Sequence, residues 1–248
     1  MITIKTPEEI AIMKESGRIL ATVINELEKQ VKPGVTTMEL NDAAEALILS
    51  MGGKPAFKNY DGFPYSLCAS VNEVVVHGYP SNYILREGDI IGLDLGVIYK
   101  GYYSDSAVTI AVGNVSFEAQ RLIKVTKTAL RYGIKKAKMG NTVGDIGNTI
   151  QRYIETQGYG IVKELCGHGI GKKLHEDPQI LNFGKRGTGS KLQEGMVICI
   201  EPMITIGNPD LKKAKDGYGY ATRDGSLSAH FEHTIAITKS GPKVLTEI

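Results

Sequence analysis

"GDIIGLDLGVIYKGYYSDSA", residues 88–107, alternates in the manner of a buried strand pair. Ile91, Leu93, Leu95 and Val97 fall on one face of an extended chain, and Gly92, Asp94 and Gly96 on the other. "YKGY" (99–102) predicts a tight turn, and Tyr103, Asp105, Ala107 and Thr109 share a face on the return. Two acids thus stand in a hairpin that otherwise reads as interior. The expected register sets Asp94 and Asp105 nearly opposite each other on the same side, with a one-residue bulge to aim both at one point. A buried carboxylate is costly unless it is paired or bound to a metal.

Outward from the hairpin, the chain repeats itself. "TPEEIAIMKESG" (6–17) opens a helix with Thr6, Pro7 and Glu9, a capping box followed by apolar residues at three- and four-residue steps. "TTMELNDAAEALILSMGG" (36–53) starts a second helix in the same way and stops at Gly52-Gly53. At an offset of 106, Lys32, Gly34, Thr36, Leu40, Ile48 and Gly52 fall on Lys138, Gly140, Thr142, Ile146, Ile154 and Gly158. At an offset of 107, "REGDIIGLDLG" (86–96) falls on "QEGMVICIEPM" (193–203), placing Asp94 on Glu201. The later strand "HFEHTIAIT" (230–238) carries Glu232 in the role of Asp105. Each half is then two helices and a strand pair bearing two carboxylates. The expected architecture is one α+β domain of two pseudo-symmetric halves, about 1–112 and 113–248, whose sheets meet and bring four acids together.

Bulk properties narrow the class. The chain has 248 residues, 42% hydrophobic and 23% charged, with a net charge of +2. Such a balance, without a Lys/Arg stripe, excludes an electrostatic nucleic-acid binder. The three cysteines, Cys68, Cys166 and Cys199, are scattered and form no CxxC, which argues against a disulfide scaffold or a zinc knuckle. No signal-peptide layout opens the sequence and no apolar run approaches a membrane span. The expectation is a cytoplasmic protein.

Four convergent carboxylates cannot all stay ionised without cations. "LCGHGIGKKLHEDP" (165–178) adds His168, read as lying in a glycine-rich turn, and His175. Oxygen-rich ligation with one imidazole suits Mn, Fe, Co or Zn, and two such ions bridged by carboxylates make a hydrolytic centre.

In order and context, Asp94, Asp105, His168, Glu201 and Glu232 resemble the five metal ligands of the methionine aminopeptidases. The motifs "DLGVIYKGYYSD", "CGHGIG", "IEPM" and "EHTI" carry the resemblance, which runs from residue 3 to 245. It implies the pseudo-two-fold "pita-bread" fold, antiparallel sheets covered by helices with two divalent metals at the centre. The bacterial-like type I form is the one implied, because neither an N-terminal zinc-binding extension nor the helical insertion of type II is present. By the same resemblance, Asp94 chelates one metal, Asp105 and Glu232 bridge both, and His168 and Glu201 complete the other. Glu201 also takes a proton from the attacking metal-bridging water, and His77 and His175 hydrogen-bond the substrate. Tyr60, Phe63, Cys68, Leu174 and Tyr218 form the methionine pocket, whose aromatic and sulfur walls suit a thioether. Asn72 and Val74, through their backbone, and Ser228 hold a monovalent cation. Tyr218 stands where the family often has tryptophan, and Asp61 where many relatives have histidine.

The implied activity is removal of the N-terminal methionine from nascent proteins whose second residue is small. The implied partners are nascent N-termini and the ribosome, and the implied state is a monomer. A prolidase-like Xaa-Pro peptidase and a non-catalytic scaffold of the same fold are the alternatives. His230 and His233, which flank Glu232, read as structural, with His233 on the opposite strand face. Cys166 and Cys199 read as small buried residues rather than thiolate ligands.

Overall fold

The computed structural model describes residues 1–248. Helix α1 (Pro7–Gln30) begins at a closed capping box: Thr6 Oγ1 accepts the Glu9 N–H, and the Glu9 carboxylate accepts the Thr6 N–H. Helix α2 (Thr37–Ser50) repeats the device with Thr36 and Glu39. Helices α3 (Phe117–Lys136) and α4 (Val143–Thr156) follow, α4 capped by Thr142 and Asp145. The chain entering α2 and α4 is tied down in parallel ways. Gly34 N–H donates to Leu85 O at 2.9 Å, and Gly140 N–H to Leu192 O at 3.0 Å. Thr36 bridges to Ile84, and Thr142 to Lys191.

The strands of the N-terminal part are β1 (Lys54–Pro55), β2 (Leu67–Val71), β3 (Val74–Val76), β4 (Ile90–Tyr99) and β5 (Tyr102–Ala111). Then come β6 (Gly160–Ile161), β7 (Gly167–Gly169), β8 (Glu176–Ile180), β9 (Val197–Ile200) and β10 (Met203–Thr205). The last are β11 (Leu211–Lys213), β12 (Tyr220–Thr222), β13 (Ser228–His230), β14 (Glu232–Thr238) and β15 (Gly241–Val244). Nine of them form one antiparallel sheet in the order β1-β4-β5-β14-β9-β7-β8, with β2 added on β4 and β15 on β14. The two strand sets are therefore not separate sheets, as the sequence predicts, but one sheet joined edge to edge. The joint is short: only Glu232↔Ala107 and His233↔Ser106 pair between β14 and β5. Side chains extend it. Thr234 Oγ1 donates to Asp105 O at 2.8 Å and accepts Asp105 N–H at 3.0 Å, and Ser106 Oγ donates to Glu232 O at 2.8 Å.

Each helix pair covers its own part of the sheet. Leu20, Val23, Leu27, Leu40 and Ile48 pack on Ile91, Leu93 and Leu95 of β4. Leu122, Ile146 and Ile150 pack on Ile198, Ile200 and Ile235. Each fully buried side chain of this kind contributes about 1.5–3 kcal/mol. Alternation along β4 then turns Asp94 away from the helices. Helix α1 crosses so closely that a Cβ at Gly17 would stand 2.1 Å from Leu245 O, which requires glycine there. Beside it Ser16 Oγ donates to Val97 O at 3.0 Å.

The hairpin register differs from the expected one. Asp94 pairs with Ala107 and Asp105 with Gly96, and the ladder runs unbroken from Ile90↔Ala111 to Tyr99↔Tyr102. The two acids share a face but sit on a diagonal, and no bulge intervenes. The turn is the cause. Lys100 and Gly101, at φ 48° and 82°, form a two-residue loop with two positive φ values, and loop length fixes register.

Candidate metal centre and substrate pocket

Five adjacent strands deliver one side chain each to the face turned from the helices. Asp94 comes from β4, Asp105 from β5, Glu232 from β14, Glu201 from the residue after β9, and His168 from β7. Ala107 lies between Asp94 and Glu232 in the cross-strand row, and its small side chain leaves the space between the two carboxylates open. His168 lies in a short strand rather than the expected turn. Its neighbours Gly167 and Gly169 lie where a Cβ would come within 2.3 Å of Cys199 O and 2.1 Å of Asp177 O.

The electrostatics of this row call for cations. Asp94 Oδ1, Asp105 Oδ1 and Glu232 Oε1 are buried without a hydrogen-bond partner. An orphaned buried acceptor costs about 1–3 kcal/mol, more when charged. Burial pushes the Asp94 carboxyl up to about 7, eased by His230 and raised further by Glu201. Burial, then the neighbouring acids, pushes Asp105 and Glu232 well above the carboxylate range. Glu201 departs from this pattern: burial raises it, but His230, His168 and His77 pull it below its ordinary value. His168 Nδ1 lies 2.9 Å from Gly169 O, an acceptor that only an N–H can satisfy. The Nε2 lone pair therefore faces Glu201 Oε1 at 3.7 Å and Asp105 Oδ2 at 4.0 Å. A lone pair turned toward carboxylates, with unpartnered oxygens around it, fits divalent cations held by O and N donors. Ligand atoms of Asp94, Asp105 and Glu232 lie within 4.8 Å of one another, as do those of His168, Cys199 and Glu232. Burial, then Glu232 and Asp105, pushes the Cys199 thiol well up, so it faces the centre as a neutral S–H.

A cavity of about 150 Å³ is lined on one side by this row and on the other by Tyr60, Phe63, Cys68, Leu174 and Tyr218, together with Phe57. Drug-sized ligand sites span about 300–1,000 Å³, so this one admits a single side chain. Phe57 is missing from the sequence reading. It reaches the wall because position 96 is glycine: a Cβ there would lie 2.8 Å from the Phe57 ring. Phe63 and Tyr218 contact with ring centroids 5.3 Å apart, and Tyr79 stacks on Tyr218 at 4.9 Å. Asp61 stands at the rim with φ 46°.

The cavity opens into a cleft of about 730 Å³, and His77, His168, His175 and Glu201 line both. Tyr60 Oη lies 2.9 Å from His175 Nδ1, and His175 meets His168 edge to face at 4.4 Å. Burial, then His168, pushes His175 down to about 4, and burial also lowers His77. Both imidazoles are neutral at pH 7. His77 holds φ 60°, a left-handed conformation that costs about 1–3 kcal/mol in a non-glycine residue. It ends β3 and turns the ring out of the strand alternation, into the cleft. Cys166 lines the same cleft.

Away from the acids, Ser228 Oγ donates to Val74 O at 3.1 Å and to Asn72 O at 3.3 Å, so the three oxygens expected around a monovalent cation converge. His233, on the far face as expected, lies 2.9 Å from Thr246 Oγ1. His230, read as structural, lies with its Nε2 3.4 Å from Glu201 Oε2.

Residues 11–239 match metallopeptidase family M24. The chain is 48% identical over 248 residues to a methionine aminopeptidase of Clostridium perfringens, covering 100% of both chains. It superimposes on the crystal structure of a methionine aminopeptidase from Rickettsia prowazekii with a TM-score of 0.97, at 44% identity over 99% of this chain and 100% of that one. Against a prolidase from Pyrococcus furiosus the TM-score is 0.80 at 28% identity, covering 99% of this chain and 65% of that one.

Proposed function

The chain belongs to metallopeptidase family M24, with that family's pita-bread fold and metal-dependent peptidase chemistry, and we infer that it is a methionine aminopeptidase. The observation that carries the reading is the 150 Å³ cavity that the carboxylates and the aromatic and thiol side chains line together. It accepts one side chain and no preceding residue, which suits release of a single N-terminal amino acid. Its aromatic and thiol walls suit a thioether.

Asp94, Asp105, His168, Glu201 and Glu232 would hold two divalent ions, of which Co, Mn, Fe or Zn meet the donor chemistry. Such ions supply electrophilic polarisation of the scissile carbonyl and acidification of the attacking water. The chain's own residues do the rest. Glu201, held below its ordinary value chiefly by His230, is ionised and takes the water's proton, then returns it to the leaving amine. Tyr60 donates to His175 Nδ1, which leaves Nε2–H of His175 as a donor to the substrate. His77, neutral and held in its strained backbone, contacts the substrate from the other side of the cleft. Phe57, Tyr60, Phe63, Cys68, Leu174 and Tyr218 grip the methionine. The larger cleft carries the residues that follow it.

The matching helix caps and Gly34 and Gly140 contacts support a single catalytic domain of two halves, about 1–112 and 113–248. The Asn72, Val74 and Ser228 oxygens support a monovalent cation site. No helix is long and apolar enough to cross a membrane. We infer that it acts as a cytoplasmic monomer on nascent N-termini near the ribosome.

The test is methionine release by Mn-, Fe- or Co-reconstituted protein. Met-Ala-Ser is expected to be cleaved and Met-Lys-Ser spared. Failure on both with every metal overturns the reading, and preference for an Xaa-Pro dipeptide turns it toward prolidase activity.

A further inference from the structure

We propose that His230 is a positioning residue that fixes the carboxylate of Glu201. The inference rests on the role assigned to Glu201 above. His230 is 3% exposed, and its Nε2 lies 3.4 Å from Glu201 Oε2 with no hydrogen-bond partner. It lines neither the methionine cavity nor the adjoining cleft, so it acts through another residue rather than on substrate.

Its backbone leaves the ring little freedom. The His230 N–H donates to Thr109 Oγ1 at 2.9 Å, and the same hydroxyl donates to His230 O at 2.8 Å. His230 also pairs with Met203, two residues beyond Glu201, across β10 and β13. The Glu201 main chain is held as well, its carbonyl accepting Asn182 Nδ2 at 3.0 Å. The loose element is the Glu201 carboxylate, because the terminal torsion of a glutamate is broad. Two imidazoles divide its oxygens: Oε1 lies 3.7 Å from His168 Nε2, and Oε2 faces His230. The His168 nitrogen presents a lone pair, so His230 is the neighbour able to donate an N–H. A contact of 3.4 Å is long for a hydrogen bond, and such contacts tighten when substrate binds. With Oε2 held, Oε1 stays turned toward His168 Nε2.

The test compares His230→Gln, which keeps an N–H donor at similar reach, with His230→Leu, which removes it. Three quantities are measured for each: kcat and KM on Met-Ala-Ser, Mn²⁺ affinity by calorimetry, and the melting temperature. His230→Leu is expected to lower kcat or Mn²⁺ affinity by about 10–100-fold, the scale seen when an outer-shell partner is lost. KM should stay within about threefold, and His230→Gln should recover most of the loss. Combined with Glu201→Gln, His230→Leu should cost little more, since the two act through one carboxylate. Equal impairment of the two variants with a lowered melting temperature, or an unchanged kcat and Mn²⁺ affinity in His230→Leu, overturns the proposal. If the wild type fails on every methionyl peptide, the activity reading falls, and the Mn²⁺ titrations still decide the role of His230.

Discussion

Lys5 Nζ stands 2.8 Å from Glu176 Oε2, with the two side chains only 5% and 9% exposed. The same carboxylate accepts the Thr3 hydroxyl and the backbone N–H groups of Lys172 and Lys173. One buried ion pair therefore ties the N-terminal segment to the loop that presents His175. Lys5→Met should leave that carboxylate without its charged partner but with three donors remaining, at a cost of about 1–3 kcal/mol in urea unfolding. Burial pushes the Glu176 carboxyl up, but Lys5, Thr3 and Lys173 bring it below its ordinary value. A carboxyl depressed in the folded state stabilises fully above its unfolded pKa and loses that contribution as pH falls through the folded one. The wild type should therefore lose stability below pH 4.5 more steeply than Lys5→Met. Parallel acid limbs would refute the coupling.

Tyr218 and Phe57 close the cavity proposed to take the methionine, so shortening either should reshape it. Tyr218→Ala is expected to lower kcat/KM for Met-Ala-Ser by roughly 10–100-fold, the scale of a lost pocket contact. Phe57→Ala should instead extend the cavity and raise relative turnover of peptides that begin with leucine or phenylalanine. A competition assay with mixed N-termini reads both. An unchanged profile in the two variants would place the methionine elsewhere.

These two residues show where the sequence was legible. The carboxylates could be read because two helical periods, two capping boxes and an internal offset set their strands in order. Alternation and the offset placed Asp94, Asp105, Glu201 and Glu232, whereas His168, read in a turn, joined the proposed ligand set only through the family resemblance. Phe57 escaped because its position depends on what is missing opposite it, the side chain of Gly96, a contact no local pattern encodes. His230 escaped for a related reason. Its partner Glu201 lies 29 positions away on the chain and reaches it only once β10 and β13 pair. The hairpin register failed on the turn: two positive φ values at Lys100 and Gly101 set the acids on a diagonal.

Asp94→Asn keeps the shape of the side chain and removes one negative ligand. Bound metal, measured by elemental analysis, should fall, and methionine release should drop by at least the roughly 10–100-fold typical of outer-shell changes. Circular dichroism should stay native, because Asp94 faces away from the helices. Full turnover at saturating metal would contradict its assignment as a ligand.

Gly17 lets α1 lie against the carbonyl of Leu245, where an added Cβ would approach to 2.1 Å. On helix propensity alone Gly17→Ala would stabilise by about 1 kcal/mol. The clash with main chain predicts the opposite sign, a loss of about 1–3 kcal/mol as the helix or the C-terminal segment shifts. Urea midpoints decide between the two, and a stabilised variant would show that the close approach relaxes freely.

The acid row predicts that metal reverses the response of stability to pH. Asp94 is pushed up to about 7 without metal, and Asp105 and Glu232 well above the carboxylate range, mainly by burial. In the unfolded chain these groups ionise near about 4. Between those values the folded metal-free protein holds more protons than the unfolded chain, so its stability falls as pH rises from about 4 through 7. Metal binding needs the same groups deprotonated, so affinity strengthens over this range, and the stabilisation grows with the ratio of free metal to Kd. Thermal melts with Mn²⁺ and with chelator should therefore diverge steadily from about pH 5 to pH 8. A chelated protein whose melting temperature climbs in parallel with the loaded one would mean that these carboxylates are already satisfied within the protein.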